Sequence, residues 1–140
     1  MIGKVEDFLI KGFDHVAIAV NSIEDTLQIY ERKLSLRVGE VKVVEPLKVK
    51  IAVLYVGDTK IELIEPTSDD SPVAKFLASR GEGIHHIAIE VSDIENHLKE
   101  LKDKGMTLID ETPRPGAIAR KIAFIHPKST KNALIELVEH

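Results

Sequence analysis

Two stretches of this chain, 71 residues apart, carry nearly the same sequence. They are His15-Val-Ala-Ile-Ala-Val20 and His86-Ile-Ala-Ile-Glu-Val91, and seven of the thirteen residues in 15–27 recur at that offset. Each half of the chain also ends on an echo, Ile61-Glu62-Leu63-Ile64-Glu65 and Ile135-Glu136-Leu137-Val138-Glu139. The repeat therefore predicts two similar modules, each with a histidine near its start and a glutamate near its end.

Length and composition limit the class of protein. With 140 residues, 44% of them apolar and 30% charged, the chain is long enough for one globular domain with a buried core. No apolar run approaches the roughly 20 residues that a membrane-spanning helix needs, and the acidic first ten residues do not resemble a signal peptide. The absence of cysteine argues against disulfides and thiolate metal sites and makes the cytoplasm the default location. A net charge of −4 argues against nucleic acid as a partner.

Hydrophobic periodicity predicts the same order of elements in both halves: strand, helix and three strands. The helices are predicted to begin at Asn21 and Ser92, each followed three residues later by a glutamate. The strands with the clearest bounds are predicted at Phe13–Val20, Leu36–Glu45, Val49–Val56, Lys60–Glu65, Thr107–Ile109, Lys121–Ile125 and Ala133–Glu139. The chain is thus predicted to be α+β, with two tandem βαβββ modules at about 12–68 and 83–139 and a linking helix at about 71–80.

Position parity assigns each strand residue to a face, because successive side chains point to opposite sides of a sheet. Val16, Ile18 and Val20 should pack on the helix, which turns His15 toward the other face, lined by alanines. His86 occupies the matching position in the second module. Both histidines are therefore predicted to point into a concave face with room for a ligand.

Two glutamates complete a candidate metal site. Glu62 and Glu136 lie in the last strand of each module, so a pseudo-twofold axis can bring them together with His15 and His86. Two imidazoles and two carboxylates, with two positions open, suit octahedral Co²⁺, Mn²⁺, Ni²⁺, Mg²⁺, Fe²⁺ or Zn²⁺. One such residue alone is more often structural, but four at matched positions of a repeat favour a metal. The remaining histidines are not predicted to be ligands: His85, His97, His126 and His140.

Five segments carry a family resemblance. They are Phe13-Asp-His-Val-Ala-Ile-Ala-Val20, Asp70-Ser-Pro-Val-Ala-Lys-Phe-Leu77, Gly83-Ile-His-His-Ile-Ala-Ile-Glu-Val91, Phe124-Ile-His-Pro-Lys128 and Leu134-Ile-Glu-Leu137. Together they resemble the methylmalonyl-CoA epimerases, a family of the vicinal oxygen chelate superfamily that also includes glyoxalase I and extradiol dioxygenases. The paired His/Glu pattern indicates only the superfamily. The segment after Asp70, the double histidine and the His-Pro-Lys turn indicate the epimerase family.

The resemblance implies a single vicinal oxygen chelate domain over 1–140, a cupped mixed sheet around the metal, and a homodimer. It implies that His15, Glu62, His86 and Glu136 hold one divalent ion per subunit, with Co²⁺ expected first and Mn²⁺, Ni²⁺, Mg²⁺ or Zn²⁺ as alternatives. Some relatives have glutamine in place of Glu62, so this site is one charge more negative. Bacterial relatives often place a second acid/base glutamate where this chain has Ile51.

The implied reaction is the epimerisation of (R)- and (S)-methylmalonyl-CoA, with the α-proton removed and returned through a metal-stabilised enolate. Glu136 is the predicted proton carrier, and the second carrier is unassigned. Arg120, Lys121 and Lys128 belong to the densest basic stretch beside a site strand and are predicted to bind the acyl-CoA substrate. Lys131-Asn132 replaces a glycine pair common in relatives. Two alternatives stay open: a glyoxalase I-type isomerase acting on a hemithioacetal, and a non-enzymatic small-molecule-binding member of the superfamily.

Overall fold

The computed structural model describes residues 10–140, and within this range the chain alternates strands and helices as predicted. The strands are β1 (Ile10–Ala19), β2 (Arg37–Val44), β3 (Val49–Val56), β4 (Thr59–Pro66), β5 (Gly83–Val91), β6 (Lys121–Ile125) and β7 (Ile135–Glu139). The helices are α1 (Ile23–Leu27), which continues as the π-helical segment Gln28–Lys33, then α2 (Pro72–Arg80) and α3 (Ile94–Asp103). The predicted α+β class is confirmed.

The described residues form two compact units, one of residues 15–85 and one of residues 10–14 and 86–140. In the 15–85 unit the strands follow the order β2-β3-β4-β1, with β1 parallel to β4 and the other neighbours antiparallel. In the second unit β5 is parallel to β7, which is antiparallel to β6. Each unit therefore contains a mixed sheet of the kind that the repeat predicts.

The core of the 15–85 unit confirms the face assignment made from strand parity. Val20 and Ile23 are buried together with apolar residues of β3 and β4, and Ile18 packs against the same cluster. Ala17 and Ala19, on the opposite parity, are each fully buried on the histidine side of β1. Burying a side chain of valine or isoleucine size stabilises the fold by about 1.5–3 kcal/mol, so this pattern fixes which side of β1 His15 occupies.

The second unit has a cluster on each face of its sheet. On the helix face, Val91, Ile94 and Leu98 pack with β6 and β7 residues, and Ile89 joins them. On the other face Ala88 is buried with neighbours from the following loop and strands: Ala119, Ile122 and Val138, with Phe124 packed against them. The histidine face of this unit is thus lined largely by apolar side chains.

The helix N-caps lie one residue later than the sequence predicted. Ser22 caps α1 by accepting a hydrogen bond from the backbone N–H of Asp25 at 3.1 Å. The predicted cap, Asn21, instead donates its backbone N–H to Glu82 at 2.8 Å. Asp93, rather than Ser92, caps α3. Both modules shift by the same one residue, so the repeat extends to the helix caps.

The second module departs from the repeat after α3. The predicted strand Thr107–Ile109 is reduced to a single bridge between Leu108 and Ile125, and Arg114 forms another single bridge with Ile122. Pro113 and Pro115 flank Arg114 and cannot donate to a strand ladder. A loop therefore stands where the first module has β2.

The linking helix is confirmed as predicted. Ser71 is fully buried, and its Oγ accepts a hydrogen bond from the backbone N–H of Val73 at 3.2 Å, at the start of α2. Gly81 ends the helix with φ at 78°, a left-handed conformation that glycine adopts without steric cost. None of the described helices is both long and apolar enough to cross a membrane.

Candidate metal and active site

The 15–85 unit places His15 beside Glu62. His15 Nδ1 lies 3.3 Å from Glu62 Oε2, and the two residues are each only 5% exposed. The parallel register of β1 and β4 sets Ala17 opposite Glu62 and so brings the histidine and the carboxylate to one strand face. The side chains predicted as the first module's ligands therefore meet in a buried, polar pair.

The second unit repeats this arrangement with His86 and Glu136. His86 Nε2 lies 3.1 Å from Glu136 Oε1, with exposures of 8% and 5% for the two residues. Ala88 lies opposite Glu136 in the β5–β7 register, as Ala17 lies opposite Glu62 in the first module. Two buried imidazole–carboxylate pairs thus stand at matched positions of the repeat.

An aromatic ring supports the second pair. The Phe124 ring contacts the His86 ring edge-on, with centroids 5.2 Å apart, and Phe124 lies opposite Glu136 in the β6–β7 register. Such edge-to-face contacts orient rings as well as burying them. His86 is therefore held between a carboxylate and an apolar wall.

The second glutamate of each Ile-Glu-Leu echo has a different task, which the sequence analysis missed. Glu65 accepts a hydrogen bond from the backbone N–H of Ile23 at 2.7 Å, and Glu139 accepts one from Ile94 at 2.9 Å. These N–H groups lie at the starts of α1 and α3, where carboxylates are favoured. The signal was the three-residue separation from Glu62 and Glu136, which places the two glutamates of an echo on opposite faces.

Asp14 was also missed as a candidate polar residue. It is only 6% exposed, and its Oδ1 lies 2.6 Å from His140 Nε2. His140 was set aside in the sequence because it is the terminal residue. The signal available for Asp14 was its place in the sequence, immediately before His15.

Ile51 is buried, at 4% exposure, and lies opposite Ile64 in the β3–β4 register. Val53 lies directly opposite Glu62 and is 3% exposed. Residues directly opposite each other share a sheet face. The face of β3 next to Glu62 therefore carries apolar side chains, including the one at the position where bacterial relatives were expected to have glutamate.

The three basic residues predicted to bind substrate differ in their surroundings. Arg120 lies 2.7 Å from Glu139, and Lys121 lies 2.6 Å from Glu95. The hydrogen bond from Lys121 lowers the pKa of the Glu95 carboxyl from its ordinary value. Lys128 is exposed and follows His126, whose Nδ1 accepts the Lys128 backbone N–H at 3.1 Å. Arg120 and Lys121 thus connect the start of β6 to acids near α3, and substrate binding by all three stays a prediction.

Comparison with known proteins identifies the relatives of this chain. Residues 14–124 match the model of the glyoxalase/bleomycin resistance protein/dioxygenase superfamily. The mitochondrial methylmalonyl-CoA epimerase of Dictyostelium discoideum is 37% identical over 142 aligned residues, which cover 99% of this chain and 82% of that protein. The chain belongs to the methylmalonyl-CoA epimerase family of this superfamily. The predicted resemblance is confirmed.

Solved structures of this family agree with the described fold. The methylmalonyl-CoA epimerase of Mycobacterium tuberculosis matches with a TM-score of 0.87 and 36% identity, covering 93% of this chain and 88% of that one. A methylmalonyl-CoA epimerase in complex with methylmalonyl-CoA and NH₄⁺ matches with a TM-score of 0.88 and 34% identity, covering 93% and 94%. The prediction of an enzyme of the epimerase class is confirmed, and the hemithioacetal and non-enzymatic alternatives are not favoured.

Proposed function

We propose that this chain interconverts (R)- and (S)-methylmalonyl-CoA in a metal-dependent reaction. The observation that carries the proposal is the pair of buried His–Glu contacts, His15–Glu62 and His86–Glu136, at matched positions of a sequence repeat. The named activity of relatives aligned over nearly the whole chain supports the substrate. The reaction class is proton transfer at the carbon between a thioester and a carboxylate.

The donor set fits a divalent cation. We propose that His15, Glu62, His86 and Glu136 together hold one ion, with Co²⁺ expected first. Buried carboxylates are stabilised by a nearby cation, which a bound metal ion would supply. Imidazole and carboxylate donors suit Co²⁺, Mn²⁺ and Ni²⁺, and the chain has no thiolate that would favour a closed structural zinc site. A bound ion would act as a Lewis acid toward the thioester and lower the barrier to α-proton removal by several kcal/mol.

Glu136 is the proposed proton carrier. Its carboxylate is held by His86 at one oxygen, is almost fully buried, and faces the same side of the sheet as Phe124. A carboxylate positioned beside the reacting carbon can act as a general base toward its α-proton. Inversion also requires a proton to reach the opposite face, and the apolar Ile51 cannot supply it. The second carrier is left unassigned.

Substrate contacts are proposed outside the repeat. Coenzyme A carries phosphates, and Arg120, Lys121 and Lys128 provide positive charge near the start and end of β6. We also infer a homodimer, as the family resemblance implies. Neither proposal depends on the metal donors, so each can fail without affecting the metal site.

One experiment tests the proposed reaction. Cobalt-reconstituted protein is incubated with a single epimer of methylmalonyl-CoA in D₂O, and the product is followed by circular dichroism and by NMR of the α-position. Epimerisation with deuterium incorporated at the α-carbon is the expected result. Inertness toward methylmalonyl-CoA combined with turnover of a hemithioacetal would overturn the proposal and establish a glyoxalase-type activity.

A further inference from the structure

A basic side chain outside the predicted set stands beside the His86–Glu136 pair. Arg114 is held at its backbone by two hydrogen bonds with β6: its N–H donates to Ile122 O at 2.9 Å, and Ile122 N–H donates to Arg114 O at 2.8 Å. A Cβ added to Gly116 would lie 2.6 Å from Ile122 Cγ2. The loop around Arg114 is therefore pressed against β6, which gives Arg114 a defined position.

The Arg114 guanidinium reaches the face of the sheet that carries Glu136. Its Cζ lies 5.6 Å from the centroid of the Phe124 ring, and that ring contacts His86. A cation over an aromatic face is stabilised by the ring and keeps its outer edge toward solvent. Arg114, Phe124, His86 and Glu136 thus form a continuous series of contacts from a half-exposed cation to a buried carboxylate.

Asp110 orients this guanidinium. Asp110 Oδ1 lies 3.2 Å from Arg114 Nε, while Oδ2 accepts the backbone N–H of Phe124 at 2.9 Å. The contact engages Nε, and the two terminal nitrogens of arginine form the edge that binds carboxylates in a bidentate way. The Arg114 side chain is 40% exposed, so that edge can be reached by a ligand.

The other cations near β6 are less suited to a small anion at this site. Arg120 and Lys121 already contact Glu139 and Glu95, and the side chain of Arg120 is 61% exposed. Glu139 in turn accepts the N–H of Ile94 at the start of α3, on the helix side of the sheet. Arg114 is the basic residue of these three that contacts the wall around His86.

We propose that Arg114 binds the free carboxylate of the acyl group and so selects carboxylated acyl-CoA thioesters over simple ones. The inference rests on the proposed function, because it assumes that an acyl-CoA occupies this face. A methylmalonyl group carries a carboxylate beside the reacting carbon, whereas a propionyl group lacks it. A charge-assisted bidentate contact of this kind increases affinity by about 10- to 100-fold.

The test compares two inert probes, malonyl-CoA and propionyl-CoA, by isothermal titration of the metal-loaded protein. The wild-type chain should bind malonyl-CoA about tenfold or more tightly than propionyl-CoA. Arg114→Gln should reduce this ratio at least about fivefold and leave the propionyl-CoA Kd within about twofold. Arg114→Lys keeps the charge but loses the planar guanidinium, so its ratio of malonyl-CoA to propionyl-CoA affinity should be intermediate. This variant also provides a test if Arg114→Gln does not fold.

Lys104→Gln is the matched control, since it removes an equal charge from the same unit at an exposed residue after α3 and should leave the ratio unchanged. An unchanged ratio in both Arg114 variants would overturn the inference. An equal loss of affinity for both thioesters would also overturn it, because it would assign Arg114 to the phosphates that they share. If the wild-type chain bound neither thioester, the proposed function itself would fail. That outcome differs from a wild-type preference for malonyl-CoA that persists in the Arg114 variants, which overturns only the inference about Arg114.

Discussion

The carboxylate of Glu65 accepts a hydrogen bond from the backbone N–H of Ile23 at a distance of 2.7 Å. The same contact recurs between Glu139 and Ile94 at 2.9 Å. The last strand of each module, β4 or β7, therefore places one glutamate beside a histidine on one face of the sheet. Its other glutamate accepts a backbone hydrogen bond at the start of a helix on the opposite face. We therefore expect Glu65 and Glu139 to contribute to stability, and Glu62 and Glu136 to contribute to metal binding and catalysis.

Glu65→Gln should lower the free energy of unfolding by about 1 kcal/mol, because it removes the negative charge at the start of α1 and weakens a charged hydrogen bond. Urea unfolding followed by circular dichroism measures this difference. Cobalt affinity should stay within about twofold of wild type. The matched variant Glu62→Gln should show the reverse, with weakened cobalt binding and a smaller loss of stability. Equal effects of the two variants on cobalt affinity would contradict the separation.

Glu136→Gln should reduce exchange of the substrate α-proton with D₂O by about 100-fold or more, since a positioned general base contributes factors of this size. Metal binding should be weakened but retained. The control is Glu90→Gln, which changes another β5–β7 carboxylate opposite Val138 and should leave exchange near the wild-type rate. Near-normal deuterium incorporation by Glu136→Gln would exclude this residue as the proton carrier.

Lys48→Met should raise the pKa of Asp70. The side-chain hydrogen bonds from Lys48 and Ser68 lower the pKa of Asp70 from 3.8 to about 2. Because the folded state favours the carboxylate, the pair stabilises the fold above about pH 4, and this contribution is lost as the pH falls from about 4 to about 2. NMR titration of the Asp70 side-chain carbon measures the shift, with the exposed neighbour Asp69 as internal control. An unchanged Asp70 midpoint in the variant would show that Lys48 does not hold the carboxylate.

Lys131→Gly should stabilise the fold by about 0.5–1 kcal/mol. Lys131 and Asn132 have φ values of 59° and 73°, a left-handed conformation in which a side chain is strained and glycine is not. The glycine pair expected at this point in relatives thus has a direct conformational reason. Lys128→Gly is the matched control. Lys128 lies in the 3₁₀ turn Pro127–Ser129, where glycine should lower the stability of the fold. Thermal unfolding of both variants distinguishes strain at Lys131 from a general effect of removing lysine.

Much of the fold could be read from the sequence, because the repeat fixed the order of elements and strand parity fixed their faces. Strand bounds such as Val49–Val56 and Lys121–Ile125 match those in the structure. The loop that replaces the second strand of module two could not be predicted in detail. It keeps only single bridges to β6, at Leu108 and Arg114, where β2 of module one forms a ladder with β3.

The candidate site could be predicted only where it repeats. His15 and Glu62 share a register pattern with His86 and Glu136, so symmetry was enough to predict all four as candidate ligands. Arg114 belongs to no repeat and follows no periodic pattern, and its proposed role rests on Phe124, which becomes its neighbour only after folding. Residues that recognise a substrate are often of this kind, because the asymmetry of the substrate has to be matched by unrepeated parts of the chain.

The central claim is that the two repeated His–Glu pairs serve one metal ion. Cobalt titration followed by visible absorption and by equilibrium dialysis tests it directly, using the wild-type chain, His15→Ala and His86→Ala, with His126→Ala as a control. The account predicts one ion per chain, weakened at least about 10-fold by each of the first two substitutions and unaffected by the third. Two ions per chain, or full affinity in either His15→Ala or His86→Ala, would contradict it.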